Sequence, residues 1–274
     1  MRGNLRGSLG SQTAALQPHA NPVGVCLAAL VWLAGMPAAN AQEMPNRFVY
    51  LHDVDPIIVQ DMRYASANNF TGQVVPGYAA PECLLVREAA DALKAVQAEL
   101  TPQGLSLKVY DCYRPARAVA AFVAWAKQPD DPHAKAVHYP ALDKAALFPG
   151  YIATRSGHSR GATMDLTLVP FNAPAEAPAA DGPTDAPCTA PRADRAGAAS
   201  LDMGTSFDCF DRKANTFVPG LTQTQRANRA LLLDAMARHG FKNYDQEWWH
   251  FTLENEPYPG TIFDFPILPR EAKD

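Results

Sequence analysis

Any fold open to this chain must bring two distant polar clusters to one place. The first is Ser156-Gly157-His158-Ser159-Arg160-Gly161-Ala162-Thr163-Met164-Asp165, and the second is Glu247-Trp248-Trp249-His250. Two imidazoles and one carboxylate, with one position left open, are the ligand set of a catalytic zinc site rather than a structural one. A spare carboxylate beside the last ligand is what a zinc hydrolase needs as general base. The metal site expected here is therefore His158, Asp165 and His250, with Glu247 close by.

The spacing supports the first cluster and resists the second. Thr163 to Val169 alternates, with Met164, Leu166 and Leu168 on one face and Thr163, Asp165, Thr167 and Val169 on the other. That is a strand carrying Asp165 on its more polar face. His158 lies before the strand, and a turn at Gly161 lets the loop fold back so that both side chains reach one metal. Glu247 and His250 are three residues apart, so in an ideal strand they face opposite ways. A bend must intervene if both serve one site.

The bland alternatives are specific. A lone His in a Gly/Ser loop is ordinarily just solvated, and a His in an aromatic strand is ordinarily a hydrogen-bonded core residue. Arg114, in Asp111-Cys112-Tyr113-Arg114-Pro115, has the reading of a surface ion-pair partner. Beside a metal it has a second reading, stabilising the oxyanion of a tetrahedral intermediate. His52, His133, His138 and His239 are the rival histidines: His239 lies at a helix end, where it can face the dipole, and His133 and His138, five apart in a loop, have no carboxylate–glycine pattern around them. Ser156 and Ser159 flank His158, but the chain has no Gly-x-Ser-x-Gly elbow to support a serine nucleophile.

Composition sets the setting. Arg2 and Arg6 precede an apolar run from Val23 to Gly35, which is followed by Pro37-Ala38-Ala39-Asn40-Ala41. This is the pattern of a secretory signal peptide cleaved after Ala41, and the run is too short to span a bilayer. A lipid anchor at Cys26 does not fit, because Cys26 precedes most of the run. Residues 1–41 hold two Arg and no acid, so the formal charge of −4 becomes −6 for residues 42–274. Nothing basic remains to attract nucleic acid or anionic lipid. Without the leader the chain is long enough to bury one domain's core, and the expected location is the periplasm.

Five cysteines become four without Cys26, namely Cys83, Cys112, Cys188 and Cys209. An even count in an exported protein points to two disulfides, against the alternative of buried free thiols. Of three pairings, Cys83–Cys112 with Cys188–Cys209 closes two loops of moderate length. No two cysteines are close enough in sequence for a zinc knuckle.

The remaining segments give a coarse outline. Residues 48–64 read as an extended lead-in and 68–81 as loop. Residues 84–100 follow a helical period, with Leu85, Ala89, Leu93, Val96 and Leu100 on one face. Ser106 to Asp111 reads as a strand, and Pro115 suits the first turn of a helix to about Gln128. Residues 129–150 read as loop. Residues 171–200, rich in Ala and Pro, read as a surface excursion, partly disordered except where Cys188 ties it down. A helix over 224–239 is capped by Thr224 and stopped by Gly240, and Glu247 to Leu253 reads as an aromatic strand. Helices and strands mix without a βαβ rhythm, so the fold class is α+β with a mainly antiparallel sheet.

Together the motifs Ser-x-His-Ser-Arg-Gly-x-x-x-Asp-Leu-Thr-Leu, Glu-Trp-Trp-His and Asp-x-Tyr-Arg-Pro resemble the D-alanyl-D-alanine dipeptidases, among them the dipeptidase of vancomycin resistance. The resemblance runs from about Asp53 to Ile267. It takes in Arg63-Tyr64, Asn69-Phe70-Thr71-Gly72, Met203-Gly204-Thr205-Ser206-Phe207-Asp208, Glu256-Pro257-Tyr258-Pro259 and Phe263-Asp264-Phe265-Pro266. The wider group shares its zinc site with D,D-carboxypeptidases, L,D-endopeptidases and the Hedgehog amino-terminal domain.

The resemblance implies a Hedgehog/D,D-peptidase-like fold and one zinc held by His158, Asp165 and His250. It makes Glu247 the general base that takes a proton from the attacking water and passes it to the leaving amine. Arg114 becomes the group that polarises the scissile carbonyl, Asp208 the carboxylate that receives the substrate ammonium, and Tyr64 and Ser156 pocket-lining residues. The expected substrate is a small D,D-dipeptide, and an exported enzyme of this kind would act outside the inner membrane. The alternatives are a zinc D,D-carboxypeptidase acting on peptidoglycan stems and a non-catalytic zinc-binding module.

Overall fold

Strands β1 (Phe48–Tyr50), β2 (Val59–Gln60), β3 (Leu84–Val86), β4 (Leu105–Asp111), β5 (Thr163–Pro170), β6 (Phe241–Asn243) and β7 (His250–Leu253) form two sheets. The larger has the order β2-β4-β5-β7-β6, and β1 pairs with β3 alone. Every pairing is antiparallel except β2 with β4. Helices α1 (Leu51–Val54), α2 (Arg87–Leu100), α3 (Ala116–Ala126), α4 (Pro132–His138) and α5 (Gln223–Arg238) complete an α+β fold. This computed structural model describes residues 43–171, 186–195 and 199–271. The expected leader at 1–41 and the middle of the excursion, 172–185, lie outside them. No helix among the described residues is long and apolar enough to cross a membrane.

β5 is the centre of the large sheet. Its alternation predicts one polar and one apolar face, yet Thr163, Asp165 and Thr167 are as buried as Met164, Leu166 and Leu168. The polar face is therefore covered too: Asp165 lines the site cavity and Thr163 bonds to Thr252 of β7. α2 lies against the sheet through Leu93, Val96 and Leu100, all fully buried. Each such side chain contributes about 1.5–3 kcal/mol through removal from water.

Several sequence expectations need correction. Leu84 to Val86 belong to β3, so the helix begins only at Arg87. All three residues of β3 are buried, so the apolar run continues into the helix without a break in the sequence. The lead-in contains a short helix, α1, and the region 129–150 contains α4 and a 3-10 turn at Lys144–Leu147. Asp131 caps α4 by accepting from His133 N and Ala134 N, with Pro132 in its first turn. α5 is capped by Thr222, not Thr224. Thr222 Oγ1 accepts from Gln225 N at 3.2 Å, and Gln225 Oε1 accepts from Thr222 N at 3.0 Å. That reciprocal pair is a capping box, whose Thr-x-x-Gln signature stands in the sequence. The described ends of the excursion are anchored. Arg195 is buried and paired with Asp202, and Cys188 N donates to Val137 O.

Cys83 is bonded to Cys112 and Cys188 to Cys209, with Cα–Cα separations of 5.3 and 5.4 Å. Gly161 has φ +83°, and a Cβ there would lie 2.3 Å from the Phe48 ring. Only glycine allows both the left-handed turn and that approach. The turn carries the chain from His158 straight into β5.

Candidate active site

Three adjacent strands present the chemistry. In register, Asp111 of β4 stands opposite Asp165 of β5, and Asp165 stands opposite His250 of β7. His158 arrives from the 3-10 turn Gly157–Arg160, where Ser156 Oγ accepts its backbone N–H. The imidazole Nδ1 donates to the Cys112 carbonyl at 2.7 Å and lies 3.3 Å from Asp111 Oδ2. That bond fixes the tautomer and leaves Nε2 as a lone pair.

Three ligand-type atoms then converge. His158 Nε2 is 3.3 Å from Asp165 Oδ1, His250 Nδ1 is 3.1 Å from the same oxygen, and the two nitrogens are 3.3 Å apart. Ligands at zinc bond lengths in a tetrahedron stand about 3.3 Å apart. Asp165 Oδ1 is buried and lacks a hydrogen bond of acceptable geometry, a costly state for a carboxylate oxygen. A cation at the centre of the three satisfies all of them, so this donor set fits a divalent metal. The field agrees. Burial opposes charge on His250, but Asp165 and Glu247 outweigh it and hold the imidazole up at about 9. Burial also opposes ionisation of Asp165, yet His158 and His250 hold its carboxyl well below the usual range.

Glu247 shares the site because the chain bends. Residues 245–249 form turns rather than strand, and β7 begins only at His250. His250 N donates to Glu247 O at 3.2 Å, a turn contact, and Asn243 Nδ2 donates to both carbonyls. The carboxylate consequently reaches His250, with Oε2 3.3 Å from Nδ1. The expected strand over 247–253 is thus shorter, and its missing half is the bend that the spacing demanded.

A cavity of about 270 Å³ opens beside these atoms. Tyr64, Arg114, Ser156, Asp165, Asp208, Glu247 and His250 all line it, while His158 stands just behind. Arg114 is clamped, with Nε 2.9 Å and one terminal nitrogen 2.8 Å from Asp111 Oδ2, and its guanidinium lies 5.2 Å from the Tyr64 ring. Burial works against its charge, but Asp111 and its neighbours hold it firmly cationic. Asp208 is buried, and the one hydroxyl proton of Tyr64 is shared between its two oxygens, with Oη at 3.0 and 2.9 Å. Burial, then Asp165, push its carboxyl well above the ordinary value. Burial and Asp208 likewise push the Tyr64 phenol up.

The rival histidines stay outside. His239 pairs with Glu99, and His138 Nδ1 faces the Asp208 carbonyl at 3.3 Å. Asp111 is the residue that sequence reasoning passed over. It is fully buried and touches Tyr78 Oη, Arg114 and His158 together. Its place three residues before Arg114, at the end of a strand, was the available signal.

A family model described as D-ala-D-ala dipeptidase matches residues 44–173 and 185–268. The chain belongs to the D-Ala-D-Ala dipeptidase family. A D-alanyl-D-alanine dipeptidase of Streptomyces coelicolor is 37% identical over 225 residues, covering 82% of this chain and 100% of that protein. One from Enterococcus faecalis is 33% identical, with 82% and 100% covered. One from Escherichia coli is 30% identical, with 76% and 85% covered. Family membership accounts for the Hedgehog/D,D-peptidase-like arrangement and for the metallopeptidase character of the His-Asp-His cluster.

Proposed function

We propose that the protein is a zinc-dependent dipeptidase that hydrolyses free D-alanyl-D-alanine to two D-alanine. The observation that carries this reading is that one cavity is lined both by metal-ligand residues and by a buried carboxylate. Asp165, His250 and Glu247 line it, and so does the buried carboxyl of Asp208, held by Tyr64. The curated relatives bear the same activity in their names.

His158, Asp165 and His250 would hold the zinc. Two nitrogens and one oxygen suit that ion, which when bound supplies a Lewis acid that acidifies water and polarises a carbonyl. The chain's own residues do the rest. Glu247 takes a proton from the attacking water and delivers it to the departing amide nitrogen. Arg114, preset by Asp111, offers its N–H groups to the carbonyl oxygen as negative charge gathers there. Asp208 receives the substrate ammonium, and Tyr64 keeps both carboxylate oxygens in place. Ser156 lines the same pocket and steadies the turn that carries His158.

Selectivity follows from burial. A free dipeptide brings an ammonium that favours the ionised Asp208, whereas an acylated peptide brings none and leaves the buried carboxyl without that charge partner. This disfavours the carboxypeptidase alternative, which needs room for an acylated stem at that end. A non-catalytic module has no use for Glu247 and a clamped Arg114. The signal-like leader and the two disulfides support export to the periplasm, where such bonds persist.

The experiment is a comparison of zinc-loaded enzyme on D-Ala-D-Ala, on its N-acetylated form and on a pentapeptide stem. Cleavage of the free dipeptide alone is expected. Efficient cleavage of the stem would replace this reading with the carboxypeptidase one, and no cleavage of any would favour the zinc-binding module.

A further inference from the structure

Each disulfide ends one residue away from a group the reaction uses. Cys112 follows Asp111, and its own carbonyl accepts the Nδ1–H of His158 at 2.7 Å. It lies just beyond β4, where no strand partner fixes it. Its support is Cys83, which leads into β3, donates its N–H to Gln60 Oε1 at 2.8 Å and accepts from Leu51 N at 2.9 Å. From the same strand Leu84 O accepts from Tyr113 N, and Val86 N donates to Gly161 O. β3 therefore grips the chain on both sides of the His158–Cys112 contact, and the covalent bond is its strongest link. Cys209 follows Asp208, a non-glycine residue at φ +55°, in the left-handed region that L side chains rarely adopt. Around it, Ser206 N donates to Cys188 O, Phe210 N donates to His138 O, and Cys188 N donates to Val137 O. The bond to Cys188 ties the Asp208 segment to the end of α4.

We propose that the two disulfides are positioning elements with separate duties: Cys83–Cys112 seats the metal ligand His158, and Cys188–Cys209 holds Asp208 where it meets the substrate ammonium. The second duty rests on the functional reading above. The first rests only on the metal cluster. A carbonyl that orients a ligand imidazole sets its basicity and direction, and loss of such a contact typically costs about 10–100-fold in metal affinity. A misplaced Asp208 weakens substrate binding and leaves the metal alone.

The test uses the full chain with one bridge removed at a time, C83A/C112A and C188A/C209A. Zinc affinity is read by competition with a chromogenic chelator, and KM and kcat for D-Ala-D-Ala are measured at saturating zinc. C83A/C112A is expected to lose about 10–100-fold in zinc affinity, with KM little changed once zinc is saturating. C188A/C209A is expected to keep wild-type zinc affinity and raise KM about 10-fold or more, the worth of a charge-assisted contact. If either variant fails to fold, native enzyme is reduced in graded steps and alkylated. The species with one bridge open are then separated and measured in the same way. Lower melting temperatures with zinc affinity and KM unchanged would overturn the proposal, because the bridges would then only stabilise. Equal losses of both parameters in both variants would overturn the division of duties. Failure of wild-type enzyme to cleave D-Ala-D-Ala would refute the functional reading instead, and the zinc measurement would still decide the first duty.

Discussion

The metal cluster and the Asp208 segment, which meet in one cavity, are built by different means. At the metal end, Asp165 and His250 sit in register on paired strands, and His158 is brought beside them by a tight glycine turn. Ladder hydrogen bonds fix these side chains to within the small tolerances a metal demands. At the other end, Asp208 sits on irregular chain at positive φ, held by a tyrosine hydroxyl and a neighbouring disulfide. On the proposed reading, the chemistry rests on the paired strands of the sheet, and recognition of the substrate's amino end on separately braced loops. Such a division lets one sheet carry a hydrolytic centre while the loops decide what it cuts.

Substitutions at the two ends should fail differently. The largest effect is expected from His158→Ala or His250→Ala, which should abolish stoichiometric zinc and activity together. A purified variant that retains one zinc per chain would remove that residue from the ligand set. Next, Glu247→Ala should keep zinc yet lose on the order of 10²–10⁴ in kcat, the usual range for a general base. Turnover near wild type would assign the proton transfer elsewhere. At the far end, Asp208→Asn should leave zinc and fold intact while kcat/KM for the free dipeptide drops on the order of 10², as a buried charge pair is lost. A change in kcat alone would place Asp208 in the chemical step and blur the comparison.

Two smaller effects sharpen it. Asp111→Asn should weaken zinc binding about 10–100-fold, since that carboxylate braces both His158 and Arg114. Unchanged affinity would mean that Cys112 O alone orients the ring. His138, packed under the Asp208 carbonyl, offers a pH signature. Burial pulls its imidazole down to about 4. The unfolded chain binds that proton near 6.5, so this contribution to stability is complete above about 6.5 and is lost as pH falls toward 4. The residue as a whole is half-buried, and the effect is limited to roughly 1–3 kcal/mol. Denaturant titrations of wild type and His138→Gln should diverge in slope over that window. Parallel curves would show the ring titrating freely.

The same contrast decides what the sequence could reveal. Alternation around Asp165 and the glycine at 161 made the metal half legible, because strand period and turn chemistry are local. The even cysteine count left three pairings open, and the structure has the one favoured for its two moderate loops. Glu247 was not legible from spacing, since the bend at 245–249 is fixed by Asn243 from another strand. Asp208 carries no local signal at all. Its conformation and burial come from Tyr64 and His138, distant in the chain, and only the family resemblance pointed to it. Helix boundaries missed where tertiary contacts overrode local pattern, as at Leu84–Val86, and where a cap was read two residues late, at Thr222.

The central claim is that one cavity joins a metal-centred hydrolytic end to an ammonium-reading end. Its most direct test is the ratio of kcat/KM for D-Ala-D-Ala over N-acetyl-D-Ala-D-Ala, measured with zinc content in wild type and in Asp208→Asn. The account predicts a large ratio in wild type that collapses toward one in the variant, with one zinc per chain in both. A ratio that survives the substitution, or a wild type that cleaves both peptides equally, would contradict it.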